Sequence, residues 1–110
     1  MIKNYQYKIP FQLAESLDII LDCVKEVPQW NLVILEEQAG VVEWKQKVWP
    51  RLGVTKIRAY LREPRPRDTL VTLYINRPFM LADPFKTCDR TFETLEAKLN
   101  DKINTLKECR

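Results

Sequence analysis

The sequence predicts an α+β fold with elements in the order β-α-β-β-β-β-α: one largely antiparallel sheet with both helices packed on one face. Three observations carry this. Four short segments alternate apolar and polar residues with the period of a strand, and a fifth, Trp30 to Gln38, is short and β-branched. Two longer segments repeat apolar residues at steps of three and four, as amphipathic helices do. The connections between the later strands hold the glycine, proline and acidic residues that turns need. At 110 residues and 45% apolar, residues 1–110 are expected to form a single domain around one core.

Residues 3–9 alternate, with Tyr5, Tyr7 and Ile9 on one side, and read as the first strand. Pro10 is expected to open a helix, where its missing N–H costs nothing. Leu13, Leu17, Ile20, Leu21 and Val24 form the apolar stripe of that helix, Glu15, Asp18, Asp22 and Glu26 its solvated side, and Pro28 its end. Trp30 to Gln38 is short and β-branched and reads as a strand. Gln38-Ala39-Gly40 turns, and Val42, Trp44 and Val48 then face the core while Glu43, Lys45, Lys47 and Trp49 face away. Gln46 is the polar misfit on the core side.

The segment Trp49 to Val54 is a corner, because proline and glycine stop the strand and redirect it. Two further strands follow. Ile57, Ala59 and Leu61 point one way in the first, and Val71, Leu73 and Ile75 in the second. Pairing 57 with 75, 59 with 73 and 61 with 71 keeps both apolar sets on one face, whereas a slip of one residue would turn one set to water. Glu63 to Thr69 is then the hairpin loop. Asp83-Pro84 is expected to start the C-terminal helix. Phe85, Cys88, Phe92, Leu95, Leu99, Ile103 and Leu106 supply its stripe to about residue 107.

Composition removes several chemistries. Histidine is absent, so the usual general base near neutral pH and the commonest metal ligand are missing. Serine occurs only as Ser16, and neither a Ser-His-Asp nor a Cys-His arrangement can be assembled within one chain. Two glycines, Gly40 and Gly53, give no phosphate-cradling loop. Cys23, Cys88 and Cys109 are far apart and form no C-x-x-C pair, so they are expected to be free thiols, with no metal and no cofactor implied. The residues best placed to act chemically are Cys23, Glu63, Asp68 and Asp83. Asp83 reads as a helix cap, and Glu63 and Asp68 as local partners of the arginines beside them. No catalytic residue is assigned. No apolar run reaches the roughly 20 residues that span a bilayer. MIKNYQYKIP lacks the features of a secretory signal, so the expected compartment is the cytoplasm.

The net charge of +3 is unevenly distributed. Residues 45–77 hold nine Lys and Arg against Glu63 and Asp68. By alternation, Lys45, Lys47, Trp49, Lys56, Arg58, Tyr60, Arg62 and Tyr74 share the sheet face turned away from the helices. Arg65 and Arg67 of the hairpin Arg62–Asp68 lie at its rim. Arg58 is expected opposite Tyr74, close enough for a cation–π contact. Val33, Leu35 and Val41 join this face if residue 34 pairs with 44. Cations mixed with aromatics suit a protein interface, and like-charge repulsion within the face favours an acidic protein partner. Nucleic acid ranks second, since cations meet phosphates and rings stack on bases, although neither the strand order nor the signature of the RNA-recognition motif occurs. An anionic lipid surface ranks below both.

The other side of the sheet offers a different class of function: a curved sheet gripping a C-terminal helix can carry a small hydrophobic ligand between them. The order of elements resembles a reduced helix-grip domain of the lipid- and hydrophobe-binding kind. Trp49, Leu52-Gly53-Val54 and Ile57-Arg58 are also similar to a bacterial domain family of unknown function, in which an aromatic strand end, a glycine corner and an I-R pair follow one another. The acidic pair such domains show after the corner is replaced here by Thr55-Lys56. The resemblance implies a fold and no activity.

Overall fold

The computed structural model describes residues 2–47, 54–77 and 86–108. The elements run β1 (Ile2–Ile9), α1 (Leu13–Glu26), β2 (Trp30–Glu36), β3 (Val41–Lys47), β4 (Val54–Arg65), β5 (Asp68–Asn76) and α2 (Thr87–Glu108). The five strands form one antiparallel sheet in the order β1-β5-β4-β3-β2, and both helices pack on one side of it, as expected. The corner at 49–53, Val48 and the Asp83-Pro84 start of the last helix lie outside the described residues.

Register follows the apolar alternation. Ile57 pairs with Ile75, Ala59 with Leu73 and Leu61 with Val71, and all six are buried. Across the other edges of this central pair, Val42 faces Ala59 and Trp44 faces Ile57, while Tyr5 faces Leu73 and Tyr7 faces Val71. The helix-facing side of the sheet is thus continuous from β1 to β3. Helix α1 lays Leu17, Ile19, Ile20, Cys23 and Val24 on it, and α2 adds Cys88, Leu95, Leu99 and Ile103. Burying each such side chain stabilises the fold by about 1.5–3 kcal/mol.

Tyrosines of β1 fasten α2 to the sheet edge. Tyr5 stacks on Phe92 with ring centroids 4.5 Å apart and donates its hydroxyl to Asp89. Tyr7 donates to Asn100. The buried stripe of α1 is rotated from the expected one: Ser16, Ile19 and Cys23 are buried, whereas Leu13 and Leu21 are only partly so. Ser16 tolerates burial because its hydroxyl reaches the Phe11 carbonyl, which also accepts from the buried Thr69 hydroxyl at 2.8 Å.

Two corrections concern α1 and the charged hairpin. The helix begins at Leu13, not at Pro10, and Gln12 at its N-cap makes no side-chain capping bond. The acceptor comes instead from Glu63, whose carboxylate takes the Leu13 N–H at 2.8 Å and the Arg67 N–H at 3.1 Å. Glu63 is therefore a backbone acceptor rather than an ion partner of the arginines. The hairpin loop is also shorter than expected. Strands β4 and β5 extend to an Arg65–Asp68 pair, with a bulge between Arg62 and Arg65, leaving Pro66-Arg67 as the turn. Arg67 takes a positive φ of 59°.

The β2–β3 turn is closed by Gly40, at φ +66°; a Cβ there would lie 2.5 Å from the Leu61 carbonyl oxygen. That approach is enforced from the other side by a 2.7 Å bond from the Leu61 N–H to the Gly40 carbonyl. Gly40→Ala is expected to destabilise the fold by about 2 kcal/mol or more, since the left-handed backbone alone costs a β-carbon roughly 1–2 kcal/mol. A fall in the urea midpoint with unchanged slope is the measurement that checks it.

Candidate functional site

The side of the sheet away from the helices is built by the same register. Strand β4 supplies Lys56, Arg58, Tyr60 and Arg62. In β5 these face Asn76, Tyr74, Thr72 and Leu70; in β3, Lys56 faces Lys45, Arg58 faces Glu43 and Tyr60 faces Val41. Lys45, Lys56, Arg58, Tyr60, Arg62 and Tyr74 thus share one face. Arg65 and Arg67 are exposed at its end, on the β4–β5 turn. Lys47 pairs with Val54 at the far end of β3, but its side chain and Trp49 lie outside the described residues.

The centre of the face is ordered. Arg58 donates to Glu43 at 3.1 Å and to the Tyr60 hydroxyl at 3.1 Å, and both contacts raise the guanidinium pKa, the Tyr60 bond most. Its cation sits 5.8 Å from the Tyr60 ring centroid. The cation–π contact is therefore with Tyr60 on its own strand and not with Tyr74 opposite. Tyr74 meets Tyr60 edge-on at 5.5 Å. Glu43, which the alternation of β3 already places on this side, is the member the sequence reading leaves out. It makes the centre an ion pair rather than a bare cation.

Around that centre the cations are uncompensated. Lys45 and Lys56 are direct cross-strand neighbours, an arrangement that opposes pairing because like charges repel. Neither they nor Arg62, Arg65 and Arg67 have an ion partner among the described residues.

The β2 edge differs from expectation. Leu32 pairs with Trp44, Ile34 with Glu43 and Leu35 with Val42, with a bulge at Val33. Residue 34 thus faces 43, not 44, and the extra residue exchanges the faces: Ile34 joins the outer side, and Leu35 shares the helix side with the buried Val42. Val41 is outer, as expected. Leu32, Val33 and Leu35 remain 45%, 45% and 37% exposed.

On the helix side, Gln46 is a bridge. Its side-chain oxygen accepts from the Trp30 indole at 2.7 Å and the Thr91 hydroxyl at 3.1 Å, tying β2, β3 and α2 together. Trp30 and Trp44 lie 5.5 Å apart. The Trp44 indole N–H is buried with no hydrogen-bond partner among the described residues, whereas buried donors are normally satisfied.

Between the helices lies a groove of about 370 Å³ lined by Ile19, Asp22, Glu26, Lys98, Lys102 and Leu106, among others. Within it Glu26 meets Lys102 at 2.6 Å and Lys98 at 3.4 Å. The Lys102 bond chiefly lowers the Glu26 pKa and raises that of Lys102. Beneath it Cys23 is fully buried, and burial raises its thiol pKa to about 11. A neutral thiol is a poor nucleophile. Among the described residues no group of histidine, cysteine and carboxylate side chains is arranged to hold a metal, and no helix is long and apolar enough to cross a membrane.

No protein-family model and no curated protein matches the sequence. Solved structures match the fold. The di-domain ARO/CYC BexL from the BE-7585A biosynthetic pathway aligns at TM-score 0.66 and 11% identity, over 97% of this chain and 46% of that one. The chain thus spans about half of that protein. Norcoclaurine synthase from Thalictrum flavum, a point mutant in complex with a transition-state analogue, aligns at 0.69 and 4% identity over 97% and 96%. An HSP90 activator from Plasmodium falciparum aligns at 0.67 and 8% over 98% and 96%. At these identities the likeness is one of fold, and it defines the protein as a helix-grip-like α+β domain. The short motif that resembles a bacterial family of unknown function is matched by no family model, and Trp49, Leu52 and Gly53 fall outside the described residues.

The raised Cys23 pKa has a signed consequence. The unfolded thiol ionises near its ordinary value of 9 and the folded one near 11, so the unfolded chain loses its proton first. Stability from the neutral thiol is fully present below pH 9 and is lost as pH rises toward about 11. In urea unfolding across that window, Cys23→Ala is expected to decline less steeply than the wild type.

Proposed function

We propose that the protein is a binding module that presents the outer face of its sheet to an acidic protein. The observation that carries this reading is the Lys45–Lys56 cross-strand pair, uncompensated beside an ordered Arg58–Tyr60–Tyr74 cluster. A sheet stabilised only for its own sake would set a carboxylate opposite one lysine, as it sets Glu43 opposite Arg58. A partner carboxylate between Lys45 and Lys56 would relieve their repulsion, while Tyr60 and Tyr74 offer rigid apolar area at small entropic cost. Arg62, Arg65 and Arg67 continue the cationic track to the hairpin tip. Nucleic acid is the competing anion, and an anionic membrane ranks below it.

The test uses an acidic peptide and a single-stranded oligonucleotide as probes. Peptide binding is expected to weaken as salt rises. It should be lost in the variant Lys45→Glu, Lys56→Glu, Arg62→Glu, with the circular dichroism spectrum unchanged. Equal binding by that variant would refute the outer face as the site. Tighter capture of the oligonucleotide, with a steep salt slope, would replace protein by nucleic acid as the partner.

A second reading is favoured by the unpaired Trp44 N–H on the helix side. A small hydrophobic ligand held between sheet and C-terminal helix, with one carbonyl acceptor, would satisfy that donor. The fold shared with BexL and norcoclaurine synthase supports it. An aromatic ketone should then raise Tm at low and high salt alike, and Trp44→Phe should remove most of that rise. An unchanged Tm across a panel of apolar ketones would dismiss it.

A further inference from the structure

Strand β2 is the sheet edge farthest from β1, and the two edges are protected very differently. Natural edges carry lysine or proline to discourage strand addition. Strand β1 carries Lys3 and Lys8, and its tyrosines are covered by α2. Strand β2, Trp30-Asn31-Leu32-Val33-Ile34-Leu35-Glu36, has no lysine, arginine or proline, and it exposes the aliphatic side chains of Leu32, Val33 and Leu35.

The bulge makes this edge complementary to itself. It puts Leu32 and Leu35, three residues apart, on the same side of the sheet; in an unbulged strand they would point to opposite sides. Consider two β2 strands pairing antiparallel about a two-fold axis between Val33 and Ile34. Leu32 then faces Leu35 of the second copy, helix side against helix side, and Asn31 faces Glu36, outer side against outer side. Both of these pairs keep their faces matched, which the alternation of a strand requires. The exposed leucines cover one another.

Charge selects the same arrangement. Both acids of this stretch, Glu36 and Glu37, lie at one end. A parallel pair would set them side by side; the antiparallel pair sends them to opposite ends. Each Glu36 then lies opposite Asn31, whose neighbour on the other side is Lys45. The row runs Lys45, Asn31, Glu36 of the second copy, spanning two strand spacings of about 4.8 Å each. Over that span a lysine and a glutamate can meet above the short Asn31 side chain. Lys45 has no ion partner within its own described chain.

We propose that the protein forms a closed, two-fold symmetric dimer through β2, with Leu32, Val33, Leu35, Glu36 and Lys45 as the contact residues and a second copy of this chain as the occupant. An isologous contact of this kind closes on itself and leaves no β2 edge for further growth. Lys45 is shared with the outer-face reading, and in the dimer its charge is met by Glu36 of the second copy; Lys56, Arg62 and the hairpin arginines remain for a further partner, so the state of association is tested separately from peptide binding.

Sedimentation equilibrium tests it. The wild-type chain is expected at twice its 13.1 kDa mass, with a monomer fraction that grows on dilution. Leu32→Lys with Leu35→Lys should give a monomer with an unchanged circular dichroism spectrum. Both positions are substantially exposed, so folding is retained, and an urea curve on the same sample checks this. The register is tested by charge exchange. Glu36→Lys alone should weaken the dimer, and adding Lys45→Glu should restore it, because the exchanged pair meets again across the axis. A wild-type monomer at every concentration would overturn the proposal. So would a dimer that survives the double lysine substitution, or an open-ended series of larger species, which is the mark of β1 adding to β2 head to tail.

Discussion

The pairing of β4 with β5 is the constraint on which the rest of the structure depends. Placing Ile57, Ala59 and Leu61 against Ile75, Leu73 and Val71 commits one side of the sheet to the helices. It commits the other to whatever lies between those residues: Lys56, Arg58, Tyr60 and Arg62 on one strand, Tyr74 on the next. Core and surface are set by one choice of register, because the side-chain period of a strand leaves no intermediate option. The neighbouring strands inherit it, β3 through Ala59 and Ile57, β1 through Leu73 and Val71.

That choice was legible in the sequence because the alternation of both strands is strict and a slip would carry a visible cost. The same logic explains what was not legible. Leu32-Val33-Ile34-Leu35 is apolar at every position, so alternation gives no sign of which residues face the helices, and the bulge at Val33 that decides it leaves no trace in composition. Gln46 looked like a misfit on the core side, and Ser16 was not expected in the buried stripe of α1 at all. Their burial is made tolerable by the Phe11 carbonyl, five residues back, for Ser16 and by donors remote in sequence, Trp30 and Thr91, for Gln46. For Glu63 the misleading signal was local: three arginines in the same hairpin suggested ion pairs, whereas its carboxylate is directed at backbone N–H groups. Long-range polar contacts of this kind have no periodicity to reveal them.

The candidate site shows the same division. The sequence placed the basic and aromatic residues on one face; the pairing that makes them informative required coordinates. Glu43 quenches Arg58, while Lys45 and Lys56 stand opposed without a carboxylate, and the two situations are adjacent on the same strands. The fold itself is compatible with several functions, since its structural neighbours include a di-domain ARO/CYC protein, norcoclaurine synthase and an HSP90 activator. Function is therefore to be sought in particular side chains and not in architecture.

The Glu63 carboxylate also couples two distant parts of the chain. Helix α1 carries no cap in its own sequence, and the acceptor for its first N–H sits 50 residues downstream at a hairpin tip. The anchor of the first turn of α1 therefore exists only where β4 and β5 pair as far as Arg62. The hairpin is a local structure with a low loop-closure cost, whereas the helix start depends on a long-range contact. The start of the N-terminal helix is thus tied to the register of the central hairpin, and a change that shifts one removes the anchor of the other.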